Sequence, residues 1–467
     1  MEKRNLAIIG GGPGGYLAAL RAAQLGLSVV LFEKERVGGI CINVGCIPTK
    51  YLLHQTEIFR ELRTNKNLEG PVSELRLNWS KIQAGKQEVV DRLVKGLEFL
   101  LNKNKVEVIK GKAKLTSPGQ VTAWTSAGEI KFEAEKVILA TGSRPADFPF
   151  LRFNGQEVIS STEALSLPEI PKKLLIIGAG AIGLELGSVY QRLGTEVTIL
   201  EIMPSILPGT DLITAQRLER ILKKQGLKIY LQMKIESAEV TTGQVRLKGS
   251  SLLDGQPFEF SADRVLIAAG RKPNIEDLIW DETLLRRQKG NYLEVDGQGQ
   301  TSIPGVYAIG DLAGGKLLAH KAYYDGRVAA ESAAGLNSQL DYKALPAAIF
   351  TNPELASVGL SQAEAEALGI AVKTGEFPLQ ANGRALTLDS PDGLVRIIAS
   401  EADDVILGAH LLAPLASEML PVLTMAVSGR LRIKDLDSII YIHPTLSEAI
   451  PEAALKSNKE ALHILNL

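Results

Sequence analysis

An apolar run, Leu6-Ala7-Ile8-Ile9, breaks at Gly10-Gly11-Gly12-Pro13-Gly14-Gly15 and is followed by an alanine-rich helical pattern, Tyr16-Leu17-Ala18-Ala19-Leu20-Arg21-Ala22-Ala23. After Gly26 a second apolar run, Val29-Val30-Leu31-Phe32, stops at Glu33. Strand, glycine turn, helix, strand and acid in this order predict a mononucleotide-binding βαβ unit. Gly10 makes the tight turn, Gly12 lets the backbone approach a pyrophosphate, and Gly15 lets the helix sit close to the sheet. The helix N-terminus then presents unpaired amides to the phosphates. Glu33 ends the second strand, where a carboxylate can accept from ribose hydroxyls.

The same grammar recurs downstream. Leu174-Leu175-Ile176-Ile177 runs into Gly178-Ala179-Gly180-Ala181-Ile182-Gly183, then Gly194, then Val197-Thr198-Ile199-Leu200-Glu201. Gly10 to Glu33 and Gly178 to Glu201 both span 23 positions, so the unit is an internal repeat and two dinucleotide sites are expected. Gly178, Gly180, Gly183 and Glu201 belong to the second. A carboxylate at Glu201 accepts from a ribose 2′-OH and repels a 2′-phosphate. No arginine follows in Ile202-Met203-Pro204-Ser205-Ile206, which favours NAD over NADP.

Coarse patterning fills in the rest. Residues near 50–105 read as a mostly helical insertion, and those near 106–136 as a strand-rich return. Two matched strand-to-glycine exits follow, one at Ala140-Thr141-Gly142 and one at Gly270-Arg271-Lys272-Pro273-Asn274. They read as crossings between two nucleotide domains or, more plainly, as two edge turns. Val306-Tyr307-Ala308-Ile309-Gly310-Asp311 is a short strand that returns the chain to the first domain. From about 345 onward strands and helices alternate with no further glycine fingerprint. The expected class is α/β, with two nested Rossmann-like dinucleotide-binding domains followed by a C-terminal α+β domain. The expected segments are 1–148, 149–270, a return over 271–345, and 346–467.

Composition narrows the function classes. A chain of 467 residues with 45% hydrophobic side chains can bury sizeable cores, and a net charge of −1 makes no electrostatic case for nucleic acid or an anionic membrane. No apolar stretch reaches the roughly 18 residues of a membrane span. The charged start runs directly into a core strand, so a cytoplasmic location is expected.

The chemistry concentrates in two phrases. The chain has only two cysteines, Cys41 and Cys46, both within Cys41-Ile42-Asn43-Val44-Gly45-Cys46-Ile47-Pro48-Thr49-Lys50. Kept together beside a nucleotide signature, they read as a two-electron redox pair rather than as packing. Of five histidines none has companions at metal-ligand spacing, so no metal site is expected. His443 is followed by Pro444, which biases it toward an extended conformation. Glu448, five positions on, can bond one ring nitrogen and leave the other to exchange a proton with a thiol. Thr445-Leu446-Ser447-Glu448 also fits a capping box, in which Glu448 satisfies only a backbone amide.

These phrases, with Ala381-Asn382-Gly383-Arg384-Ala385, resemble the flavoprotein pyridine nucleotide-disulfide oxidoreductases over essentially the whole chain. The resemblance implies FAD in the first domain, held by Gly10, Gly12, Gly15, Glu33, Gly142 and Asp311. It implies NAD in the second, at Gly178, Gly180, Gly183, Glu201 and Gly270. Lys50 would stand near the flavin ring and pair with Glu185, although both also suit a solvated surface. Cys46 would face the flavin and Cys41 the dithiol substrate, with His443 as base and Glu448 as its orienter. In the family that His-Glu pair completes the opposite subunit's site. A homodimer is therefore implied, with 346–467 as dimerisation domain and a cis His443-Pro444 peptide.

Within the family the branch that oxidises dihydrolipoamide with NAD+ fits best. Its donor would be a lipoyl-bearing protein of a 2-oxoacid, acetoin or glycine-cleavage system, or free dihydrolipoamide. Glutathione reductase-like enzymes usually take NADPH and tend to carry lysine where Thr49 stands. Mercuric reductase-like enzymes add a C-terminal vicinal cysteine pair that is not seen here. Two departures stand out: Tyr323-Tyr324 where acids are common, and Pro421 inside an expected helix, which should kink it outside the first turn.

Overall fold

The structure is a computed structural model that describes residues 2–71 and 74–466. The first apolar run forms the strand Glu2–Ile9, buried from Leu6 onward. It pairs in parallel with Val29–Glu33 on one side and with Gly128–Leu139 on the other. Glu107–Lys110 extends the sheet beyond Val29–Glu33. The long strand Gly128–Leu139 has two characters. Its first half pairs antiparallel with Gln120–Thr125 and alternates, with Phe132 and Ala134 buried between exposed Glu133 and Glu135. Its last three residues, Val137 to Leu139, are all buried and pair in parallel with Val306–Ala308. Alternation marks a sheet with one open face, and a continuous apolar run marks one covered on both.

The second glycine unit builds a parallel sheet in the order Lys228–Tyr230, Glu196–Leu200, Lys173–Ile177, Arg264–Ile267, Val158–Ile159. A three-stranded antiparallel meander, Met233–Thr241, Gln244–Ser251 and Pro257–Ala262, follows its last helix. The two strand-to-glycine exits meet: Ser143–Pro145 pairs antiparallel with Arg271–Pro273, making a short ribbon where the chain leaves and re-enters the first sheet. The repeated α/β units are therefore nested as their sequence pattern predicts.

The C-terminal part is an antiparallel sheet in the order Ala347–Ile349, Glu354–Gly359, Ile406–Ala413, Leu394–Ser400, Val372–Pro378. Every residue of Leu394–Ser400 is buried, and the helices Ala416–Ser428 and Ala449–Lys456 share its core. Pro421 is the sixth residue of Ala416–Ser428, beyond the first turn, yet the helix continues to Ser428. Its ring lies on the exposed face, so the Ser417 carbonyl deprived of a donor is not sealed in the core. Among the described residues no helix is long and apolar enough to cross a membrane.

Candidate active site

Both glycine turns are clasped by their own acids in the same way. Glu33 Oε2 accepts the Gly11 N–H at 2.8 Å and Oε1 accepts the Glu35 N–H at 2.8 Å. Glu201 Oε2 accepts the Ala179 N–H at 2.6 Å and Oε1 accepts the Met203 N–H at 2.9 Å. The third glycines are sterically required, since a Cβ on Gly15 would lie 1.8 Å from Gly10 O and one on Gly183 2.1 Å from Gly178 O. The middle glycines face open space: a Cβ on Gly12 would find only Gly39 Cα, at 4.0 Å, and one on Gly180 would find no atom within 4 Å. The helices that follow, Pro13–Gln24 and Ala181–Arg192, carry no acid in the first turn and no side-chain cap, so their first amides are left for a ligand. Bare glycine surface, free amides and a fixed carboxylate fit a dinucleotide at each turn.

Gly142 and Gly270 both adopt positive φ at the ends of the crossing ribbon, where an added Cβ would meet nothing within 4 Å. Asp311 sits under that ribbon. Its Oδ2 accepts from Ser143 Oγ at 2.5 Å and lies 3.8 Å from Arg271 Nε, which itself donates to Ser143 Oγ at 2.7 Å.

The cysteine segment packs on the first glycine turn. A Cβ on Gly39 would lie 2.6 Å from Gly12 Cα, so the short helix Gly39–Val44, with Cys41 in it, abuts the phosphate cradle. Gly45 breaks that helix, and Cys46 opens the next, the 19-residue Cys46–Thr64. The Cys46 thiol is pushed down to about 7, first by a hydrogen bond from Cys41 and then by the Lys50 charge, against burial. Its position at a helix N-terminus acts in the same direction. Cys41 is pushed up, first by Cys46 and then by burial. In the dithiol form the negative charge therefore resides on Cys46.

Lys50 lies one turn further along the same helix. Its Nζ donates to Glu185 Oε2 at 2.8 Å and stands 4.4 Å from the centroid of the Phe350 ring. Glu185 is buried, and its Oε1 accepts the Phe350 N–H at 3.0 Å. The first sheet's insertion, the second unit and the C-terminal sheet thus converge on one carboxylate.

At the other end of the chain His443 Nδ1 and Glu448 Oε1 are 2.8 Å apart, while Glu448 Oε2 accepts the Thr445 N–H at 2.7 Å. Capping and histidine pairing are both satisfied, one by each oxygen. Burial alone would raise the Glu448 carboxyl, but the Thr445 amide and His443 hold it below the usual carboxylate range. The His443-Pro444 peptide is cis. His443's side chain is 80% exposed, and it follows Ile442 at 79% and Ile440 at 96%. Among the described residues, contacts join Cys41, Cys46, Lys50 and Glu185 in one group and His443 with Glu448 in another, with none between the two.

Two glycine-built dinucleotide cradles around a cysteine pair define a nucleotide-dependent disulfide oxidoreductase fold. Residues 4–326 match the pyridine nucleotide-disulphide oxidoreductases and residues 345–454 that family's dimerisation domain. The chain belongs to this family. It is similar over its whole length to a dihydrolipoyl dehydrogenase of Thermus scotoductus, 42% identical with all of both chains covered. A dihydrolipoyl dehydrogenase of Staphylococcus aureus is 41% identical, covering 98% of this chain and 97% of its own. A mitochondrial one from Pisum sativum is 39% identical, covering 99% and 93%. Among solved structures, LpdA from Mycobacterium tuberculosis superposes with a TM-score of 0.89 at 29% identity, covering 97% of this chain and 99% of its own. The HOCl-induced flavoprotein disulfide reductase RclA from Escherichia coli follows at 0.86 and 28%, with the same coverage.

Proposed function

We propose that the protein oxidises dihydrolipoamide, free or carried on a lipoyl-bearing protein, through Cys41 and Cys46 and reduces NAD+. The observation that carries this reading is the depressed Cys46 thiol at a helix N-terminus, paired with Cys41 and Lys50, in a chain whose full-length relatives are dihydrolipoyl dehydrogenases. FAD, held by Gly10, Gly12, Gly15, Glu33, Gly142 and Asp311, supplies the two-electron acceptor between the sulfur pair and NAD+. NAD+ is held by the second cradle, with Gly178, Gly180, Gly183, Glu201 and Gly270.

The chain's own groups manage the sulfur chemistry. A substrate thiolate attacks Cys41 of the oxidised pair, and Cys46 leaves as the thiolate its surroundings favour. His443, with Nδ1 turned to Glu448, takes the substrate's second thiol proton on Nε2. The freed sulfur attacks the first and releases Cys41. His443 does this for a partner subunit. Its exposure beside Ile440 and Ile442, and the family's dimerisation domain around it, support a homodimer with composite sites.

The test is anaerobic turnover of the flavin-loaded protein. NAD+ reduction by dihydrolipoamide is expected. NADPH oxidation by glutathione disulfide or by mercuric ion is not, and turnover confined to either would overturn the reading. Cofactor choice has its own check. Glu201→Gln removes the charge that opposes a 2′-phosphate, so the preference for NAD+ over NADP+ should narrow by about tenfold; an unchanged ratio places the discrimination elsewhere.

A further inference from the structure

The helices Pro13–Gln24 and Ala319–Ala333 meet through glycines, since a Cβ on Gly326 would lie 2.3 Å from Gly14 O. This close approach brings Tyr16 and Tyr323 together. Tyr16 Oη donates to Tyr323 Oη at 2.8 Å, and the ring centroids are 5.8 Å apart. The Cys41 helix abuts the same glycine turn through Gly39 and Gly12. Both phenols lie within electrostatic range of Cys41, and Tyr323 also of Cys46. Because Tyr16 is the donor, the Tyr323 proton has no acceptor among the described residues. An O–H whose oxygen already accepts a hydrogen bond is the stronger donor for it. Burial, the largest cause in each case, holds both phenols above their ordinary range, so both stay protonated.

We propose that Tyr323 donates a hydrogen bond to the Cys41 sulfur as that sulfur leaves the mixed disulfide, with Tyr16 fixing and polarising the donor. The inference rests on the dithiol reading above. In the step concerned, the substrate's second sulfur bonds to its first, the bond from that first sulfur to Cys41 breaks, and the electron pair goes to Cys41. The substrate is oxidised by two electrons to its cyclic disulfide, the enzyme pair is reduced, and no proton leaves Tyr323. A phenol O–H at this position attracts the charge that arrives on Cys41.

Tyr323→Phe keeps the ring and removes the hydroxyl. It should lower kcat for dihydrolipoamide oxidation by about tenfold, as expected for one hydrogen bond to a charged group. Hydride exchange from NADH to thio-NAD+, which needs no sulfur leaving group, should be unchanged. Tyr16→Phe leaves the donor in place but unfixed, and about a threefold loss is expected. Tyr323→His restores an N–H donor and should recover part of the rate. An active wild type with an unaffected Tyr323→Phe, or an equal fall in hydride exchange, overturns this inference alone. A wild type inert toward dihydrolipoamide overturns the dithiol reading and this inference with it.

Discussion

Cys46→Ser should lower dihydrolipoamide oxidation by about a thousandfold or more, while NADH-to-thio-NAD+ hydride exchange persists. A serine cannot form the disulfide that receives the electrons, and it cannot leave as an anion at neutral pH. The environment of Cys46 makes a second, graded result measurable. A free thiol titrates near 8.5, whereas Cys46 is pushed down to about 7. A depressed thiol is anionic above its own value and loses that charge as pH falls. Alkylation of Cys46 in the reduced protein, followed by mass spectrometry, should therefore persist between about pH 7 and 8.5, where an ordinary thiol is already mostly protonated. Below about 7 it should fall away. Cys41 is the largest cause of the shift and Lys50 the next favourable one. Cys41→Ala, which removes the donor, should accordingly raise the midpoint more than Lys50→Met does. A wild-type midpoint near that of a free thiol would sink the account of how Cys46 leaves.

The parts legible in the sequence were those that sterics ties to fixed spacings. No side chain fits where Gly15 meets the Gly10 carbonyl or Gly183 meets the Gly178 carbonyl, so both units announce themselves as glycines at set intervals. The closing acids were legible too, but their hold on the glycine turns was not, because backbone amides leave no mark in a sequence. Glu448 shows the opposite case. Capping and histidine pairing looked like rivals, yet a carboxylate has two oxygens and each takes one partner. Long-range convergence was the least legible. Lys50 and Glu185 could be joined only by resemblance, and nothing marked Phe350, whose amide and ring both bear on that pair. Tyr323 stood out as a departure, but its partner Tyr16 did not, since their meeting depends on two helices packing through Gly14 and Gly326. Pro421 was read as lying inside a helix, and it does: the helix Ala416–Ser428 carries it beyond the first turn and runs on to Ser428 without being broken.

His443→Ala should slow dihydrolipoamide oxidation by between about a hundredfold and ten-thousandfold, the range for loss of a positioned base. NADH-dependent reduction of ferricyanide bypasses the dithiol and should be spared; equal losses would indicate a folding role instead. Glu448→Gln sharpens the argument. Its amide oxygen can still accept the Thr445 N–H, so the turn that carries His443 is kept. Its NH2 would then face His443 Nδ1, which must become an acceptor, and the ring proton moves to Nε2. A ring protonated at Nε2 cannot take a proton from a thiol, so the loss should approach that of His443→Ala with no change in Tm. Because His443 and Glu448 make no described contact with the cysteines of their own chain, the decisive form of the experiment mixes subunits. In a heterodimer of His443→Ala and Cys46→Ser chains, one composite site keeps both an intact cysteine pair and an intact histidine, while the other has neither. Two inactive parents should then yield about half the wild-type rate per dimer. If each chain serves its own cysteines, the heterodimer stays as inactive as its parents.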